Sequence, residues 1–135
     1  MKLSKLYDIA EKENIDIIDF KMNNKAIIGC INNSYTIGIN YSIMDNSCEE
    51  KTVLAEELGH YYKNCLYNQN YSNEEISKRE FRASKWAFTT LVPYNQLKEL
   101  SKQGYKYAYE FAEELGVTEE LIEKAYYYYV EGNYG

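Results

Sequence analysis

The residues best suited to chemistry lie in one stretch, Glu56-Glu57-Leu58-Gly59-His60, which holds the only histidine of the chain. Read at 3.6 residues per turn, Glu56 and His60 lie one turn apart on the same side, with Glu57 beside the first. Two potential ligands at i and i+4 beside a free carboxylate form an arrangement in which a helix can hold a catalytic metal ion and keep a base next to it. The spacing also admits a plainer reading. Leu54, Leu58, Tyr61 and Cys65 fall in one apolar arc, and Glu56, Glu57 and His60 lie roughly opposite, as solvated polar residues do on any surface helix.

A second segment bears on the choice. Glu75 to Leu91 is helical in pattern and stops before Val92-Pro93, because proline cannot continue a helix and disfavours helical angles in the residue before it. Ile76, Ala83, Ala87 and Leu91 share a face, and Glu80 sits among them. A carboxylate in an apolar stripe is costly to bury without a partner. Ala83 and Ala87 are small enough to let another helix approach. An ion shared with the first helix would account for both features; pairing of Glu80 with Arg79, Arg82 or Lys85 would account for the charge alone.

The two segments together resemble the ImmA/IrrE family of metallo-endopeptidases. In that family a His-Glu-x-x-His helix precedes a helix of the form Glu-x-x-Ala-x-x-aromatic-Ala that ends in Leu-hydrophobic-Pro. The second element stands here as Glu80-Phe81-Arg82-Ala83-Ser84-Lys85-Trp86-Ala87, followed by Leu91-Val92-Pro93. The resemblance implies His60 and Glu80 as metal ligands, Glu57 as the general base that activates a water, and Ser84 in a supporting place where the family often has Asn or Asp. Glu56 is the departure, since it stands where the family has its first histidine. Carboxylate oxygen binds zinc, so Glu56, His60 and Glu80 remain a possible ligand set. Two carboxylates and one imidazole make a harder site, which brings manganese or magnesium into consideration beside zinc.

The elements that must position these residues can be read in order. Leu3, Leu6, Tyr7 and Ala10 repeat at helical spacing, so the start reads as an amphipathic helix rather than a signal peptide. Ile15–Phe20, Ala26–Ile31 and Tyr35–Tyr41 read as strands, with Asn23-Asn24 and Asn32-Asn33 as turns. The site helix starts at Ser47 with Glu50 three residues on, and Ser72 with Glu75 repeats that capping pattern. Tyr94–Lys102 is a short helix stopped by Gly104, and Ala108–Leu115 and Glu119–Tyr129 are two more on either side of Gly116-Val117. The expected fold is α+β: a small three-stranded antiparallel sheet packed on a mainly helical, zincin-like domain. Its parts are a helix and sheet (1–46), paired site helices (47–93) and C-terminal helices (94–135).

Composition narrows the function classes. The 135 residues suffice for one domain, with 45% hydrophobic and 27% charged side chains. No apolar run approaches the length of a membrane span. Three cysteines without a Cys-x-x-Cys pair read as free thiols in a reducing cytoplasm. The net charge of −6 argues against general affinity for nucleic acid. The last two helices resemble a helix-turn-helix, but Glu119, Glu120 and Glu123 would meet phosphate where a reader helix begins. The consecutive run Tyr126–Tyr129 faces every side of its helix, which reads either as a contact surface or as plain compositional bias toward tyrosine. The resemblance implies a helix-turn-helix transcriptional repressor of a phage or mobile element as partner. That partner is either cleaved or, if Glu56 weakens the chemistry, displaced from DNA by binding alone.

Overall fold

The structure is a computed structural model and describes residues 1–132; positions 133–135 of the expected C-terminal helical segment lie outside the described residues. Helix α1 (Leu3–Lys12) buries Leu6 and Ala10. Two residues after its end, Asn14, at a φ of 59°, turns the chain into β1 (Asp16–Asp19). Tyr7 extends from α1 to donate to Glu50 at 2.6 Å, which fastens this helix to the site helix.

Strands β2 (Ala26–Ile31) and β3 (Ser34–Ile39) form a tight hairpin. Its turn is Asn32-Asn33, both in the left-handed region (φ 53° and 65°), which matches the twist of a two-residue hairpin. The sheet is mixed, not antiparallel as expected. Its order is β1-β3-β2, and β1 runs parallel to β3 with Ile17 opposite Ile37. The physical reason is the linker Phe20–Lys25, too long for a tight turn. It carries the chain past the central position, which β3 then fills with its buried Ile37 and Ile39. β2 is left as an edge strand, bonded to β3 alone.

The site helix α2 (Ser47–Tyr62) is capped by Asn46, whose side chain accepts from the Glu49 amide at 2.9 Å. The capping residue is therefore one position earlier than the expected Ser47. The sequence suggests a helix with one wet face; the structure buries nearly its whole circumference. Lys51, Thr52, Leu54, Ala55, Leu58, Gly59 and His60 are all buried. Lys51 donates to the Leu115 carbonyl at 2.7 Å and Thr52 accepts from the Thr118 amide at 3.1 Å, so buried polar groups have partners.

Helix α3 (Asn73–Leu91) begins at Ser72, which accepts from the Glu75 amide. It packs along α2 at very short range: a Cβ on Gly59 would lie 2.3 Å from the Ala83 carbonyl oxygen. Helices α4 (Tyr94–Lys102), α5 (Ala108–Leu115) and α6 (Glu119–Tyr127) close the fold, and a wider π-type turn continues over Tyr128–Gly132. Gly116, at φ 69°, makes the turn between α5 and α6. One buried cluster joins Leu6, Ile37, Leu58, Phe88 and Leu121, hence helices from both ends of the chain and the sheet. Among the described residues no helix is long and apolar enough to cross a membrane.

Candidate metal centre

The close approach of α2 and α3 places His60 and Glu80 face to face. His60 is buried at 5% exposure, and its Nε2 lies 3.4 Å from Glu80 Oε1. The other ring nitrogen, Nδ1, faces the Cys65 carbonyl at 3.1 Å, where the chain folds back at the end of α2. A carbonyl only accepts, so Nδ1 carries a proton. Nε2 then faces a second acceptor, Glu80, and a positive species on that side of the ring favours the pair. A second ring proton or a metal ion answers that need.

Glu80 is half-exposed and takes a further hydrogen bond of 2.5 Å from the Tyr67 hydroxyl. Its carboxyl is lowered by the bond to His60, against the opposing effect of burial, with help from Tyr67. Tyr67 is pushed up to about 12 by the same contact. Arg79 donates to the Leu66 carbonyl at 2.9 Å and lies 4.8 Å over the Tyr71 ring, which ties the loop bearing Tyr67 to α3. Arg79 also pairs with Glu75, so it is engaged away from Glu80.

Charge accumulates on one side of the site. Glu57, one residue from Glu56 and facing β2 near Ile28, is pushed from 4.5 up to about 8. Burial is the main cause; the positive His60 draws it down, while the charges of Glu80 and Glu56 push it up further. For His60, burial disfavours the imidazolium, but the Glu80 contact, the Glu57 charge and the Cys65 carbonyl outweigh it and raise the group. Burial thus favours the protonated form of Glu57, and the facing carboxylate favours the charged form of His60.

Glu56 is placed elsewhere. Its Oε2 accepts from Ser84 at 2.9 Å and pairs with Lys124 on α6 at 3.5 Å. Among the described residues no three His, Cys, Asp or Glu side chains stand close enough to hold one ion. Of the three expected ligands, His60 and Glu80 meet, and Glu56 is turned to Ser84 and Lys124. Ser84 touches Glu56, not Glu80. Three parts of the site carry no sequence signal of their own: Lys124, from the last helix; Tyr67, from an irregular loop; and the Cys65 carbonyl, a backbone group.

Two donors of a kind that suits a divalent ion are in place, an imidazole fixed by a carbonyl and a carboxylate facing it, while the carboxylate one turn away on α2 is engaged by Ser84 and Lys124. Paired helices carrying these groups beside an edge strand define the class, a metallopeptidase-like α+β fold. The model of the IrrE N-terminal-like domain, of the M78 peptidases, matches residues 10–127. The chain belongs to the ImmA/IrrE family of peptidases, whose members are typically metal-dependent. No curated protein and no solved structure gives a match.

Proposed function

We propose that the protein is a metal-dependent endopeptidase of the cytoplasm. Its substrate is a protein segment of a helix-turn-helix repressor from a phage or mobile element. The observation that carries the reading is His60, held between the Cys65 carbonyl and the Glu80 carboxylate. His60 and Glu80 would hold the ion, with Glu56 as third ligand once released from Ser84 and Lys124. Zinc is the first candidate and manganese or magnesium the next. When bound, such an ion supplies polarisation of the peptide carbonyl and easier ionisation of water.

The remaining steps belong to side chains and backbone. The edge strand β2 takes an extended peptide by main-chain hydrogen bonds along its free side, next to Glu57. A groove lined by Ile76, Glu80, Phe81, Ser84, Tyr127 and Tyr128 offers room for an apolar substrate side chain beside the site. Glu57, ionised, takes a proton from the attacking water and hands it to the leaving amine. Tyr67 donates its hydroxyl to Glu80 and fixes the direction of that carboxylate. The test is cleavage of the repressor by purified protein. Glu57→Gln abolishes it while the fold survives; cleavage that persists removes Glu57 from the role of base.

A second reading draws on the engagement of Glu56 by Ser84 and Lys124. A protein that keeps Glu56 there permanently would bind the repressor and displace it from DNA without cutting. In that case His60→Ala would relieve repression as well as the wild type does.

A further inference from the structure

We propose that Lys124 is a built-in cation that holds Glu56 away from the ion site, so that full ligation requires Glu56 to leave Lys124. The inference rests on the reading of His60 and Glu80 as ligands. Lys124 stands on α6, far from the site helices in sequence, yet its Nζ lies 3.5 Å from Glu56 Oε2 and 3.5 Å from Ser84 Oγ. Ser84, buried at 6% exposure, donates to the same Glu56 oxygen at 2.9 Å. Glu56 is thus gripped from two elements at once, by a hydroxyl on α3 and an ammonium on α6. The other partner of Lys124, Glu120, is a largely exposed residue on its own helix at 3.4 Å and leaves the ammonium where it is.

The geometry makes this a competition. Glu56 and His60 are one turn apart on one side of α2, so rotation of the Glu56 side chain, without backbone movement, brings it toward His60. A metal ion must replace what Ser84 and Lys124 give that carboxylate. That competition weakens ion binding, and the part due to Lys124 vanishes with its charge. The C-terminal helix therefore contributes to the site through one side chain that the two site helices cannot supply.

The test is titration of the chelator-stripped full chain with manganese(II) alone, followed by calorimetry. Lys124→Met and Lys124→Gln bind the ion more tightly, about five- to tenfold, the scale set by loss of one partly buried ion pair. Lys124→Arg, which keeps the charge, stays near the wild-type affinity. In a Glu56→Gln background, Lys124→Met changes nothing, because no carboxylate is left to release. Equal or weaker binding by both uncharged variants overturns the inference and leaves the metal reading standing. Tightening that persists in the Glu56→Gln background also overturns it, since the charge would then act on the ion directly. Absence of binding in every form overturns the metal reading together with this inference.

Discussion

Gly59 and Ala83 set the distance between the two site helices: there is no room for a Cβ on Gly59, which would sit 2.3 Å from the Ala83 carbonyl oxygen. His60 follows Gly59, and Glu80 precedes Ala83 by one turn. The contact that brings the backbones together therefore also sets the His60–Glu80 spacing of 3.4 Å. Glu80 reaches His60 because the residues at the crossing are small, not because either side chain is unusually long.

Gly59→Ala should accordingly force α2 and α3 apart. Overpacking of this kind costs about 1–3 kcal/mol, to be read as a lower midpoint in urea denaturation. The same substitution should weaken divalent-ion binding, because it separates the two facing donors. A variant with unchanged stability and unchanged ion affinity would show that the helices yield more easily than their contact suggests.

Glu57 gives the metal-free protein a definite pH dependence. Its carboxyl titrates near 4.5 when unfolded and at about 8 when folded. The folded chain therefore binds more protons through that window. The contribution of Glu57 is fully present below the unfolded value and is lost as pH rises to about 8, at up to about 1.4 kcal/mol per pH unit. His60 is also raised and adds a loss of the same sign, above its ordinary value. The clean measurement compares wild type with Glu57→Gln in denaturant melts at pH 5 and pH 8 with chelator present. The wild type should lose more stability than the variant between the two.

Tyr67 orients Glu80 through a hydrogen bond of 2.5 Å. Partners of that kind, one step removed from an ion, typically account for about 10- to 100-fold in metal affinity. Tyr67→Phe should therefore weaken ion binding about tenfold in a calorimetric titration. Because the side chain is exposed at 39% and lies outside the buried core, the thermal midpoint should move little.

Much of this arrangement is legible in the sequence, and the omissions have physical causes. The helices around His60 and Glu80 follow from capping residues, apolar spacing and Pro93, which are local signals. Ala83 and Ala87 announce a close helix contact before its partner, Gly59, is known. The parallel pairing of β1 with β3 is not legible, because strand periodicity says which residues face inward and nothing about which neighbour is chosen. The burial of Lys51, Thr52 and His60 is equally hidden: polar residues read as solvent-facing until partners from α5, the α5–α6 turn and the Cys65 carbonyl are in place. Glu56 is the clearest case. Spacing puts it on the side of His60, but a side chain one turn away chooses its partner in three dimensions, and here Ser84 and Lys124 take it. The tyrosine run shows the same limit, since Tyr128 packs on Phe88 while Tyr126 and Tyr127 are exposed.

The central claim is that His60 and Glu80 together bind one divalent ion. Elemental analysis of untagged protein, purified without chelator, tests it most directly, run beside His60→Ala and Glu80→Gln. The account predicts about one equivalent of zinc, manganese or magnesium in the wild type and its loss in both variants. A wild type free of divalent metal even after reconstitution, or variants that keep the full equivalent, would contradict it.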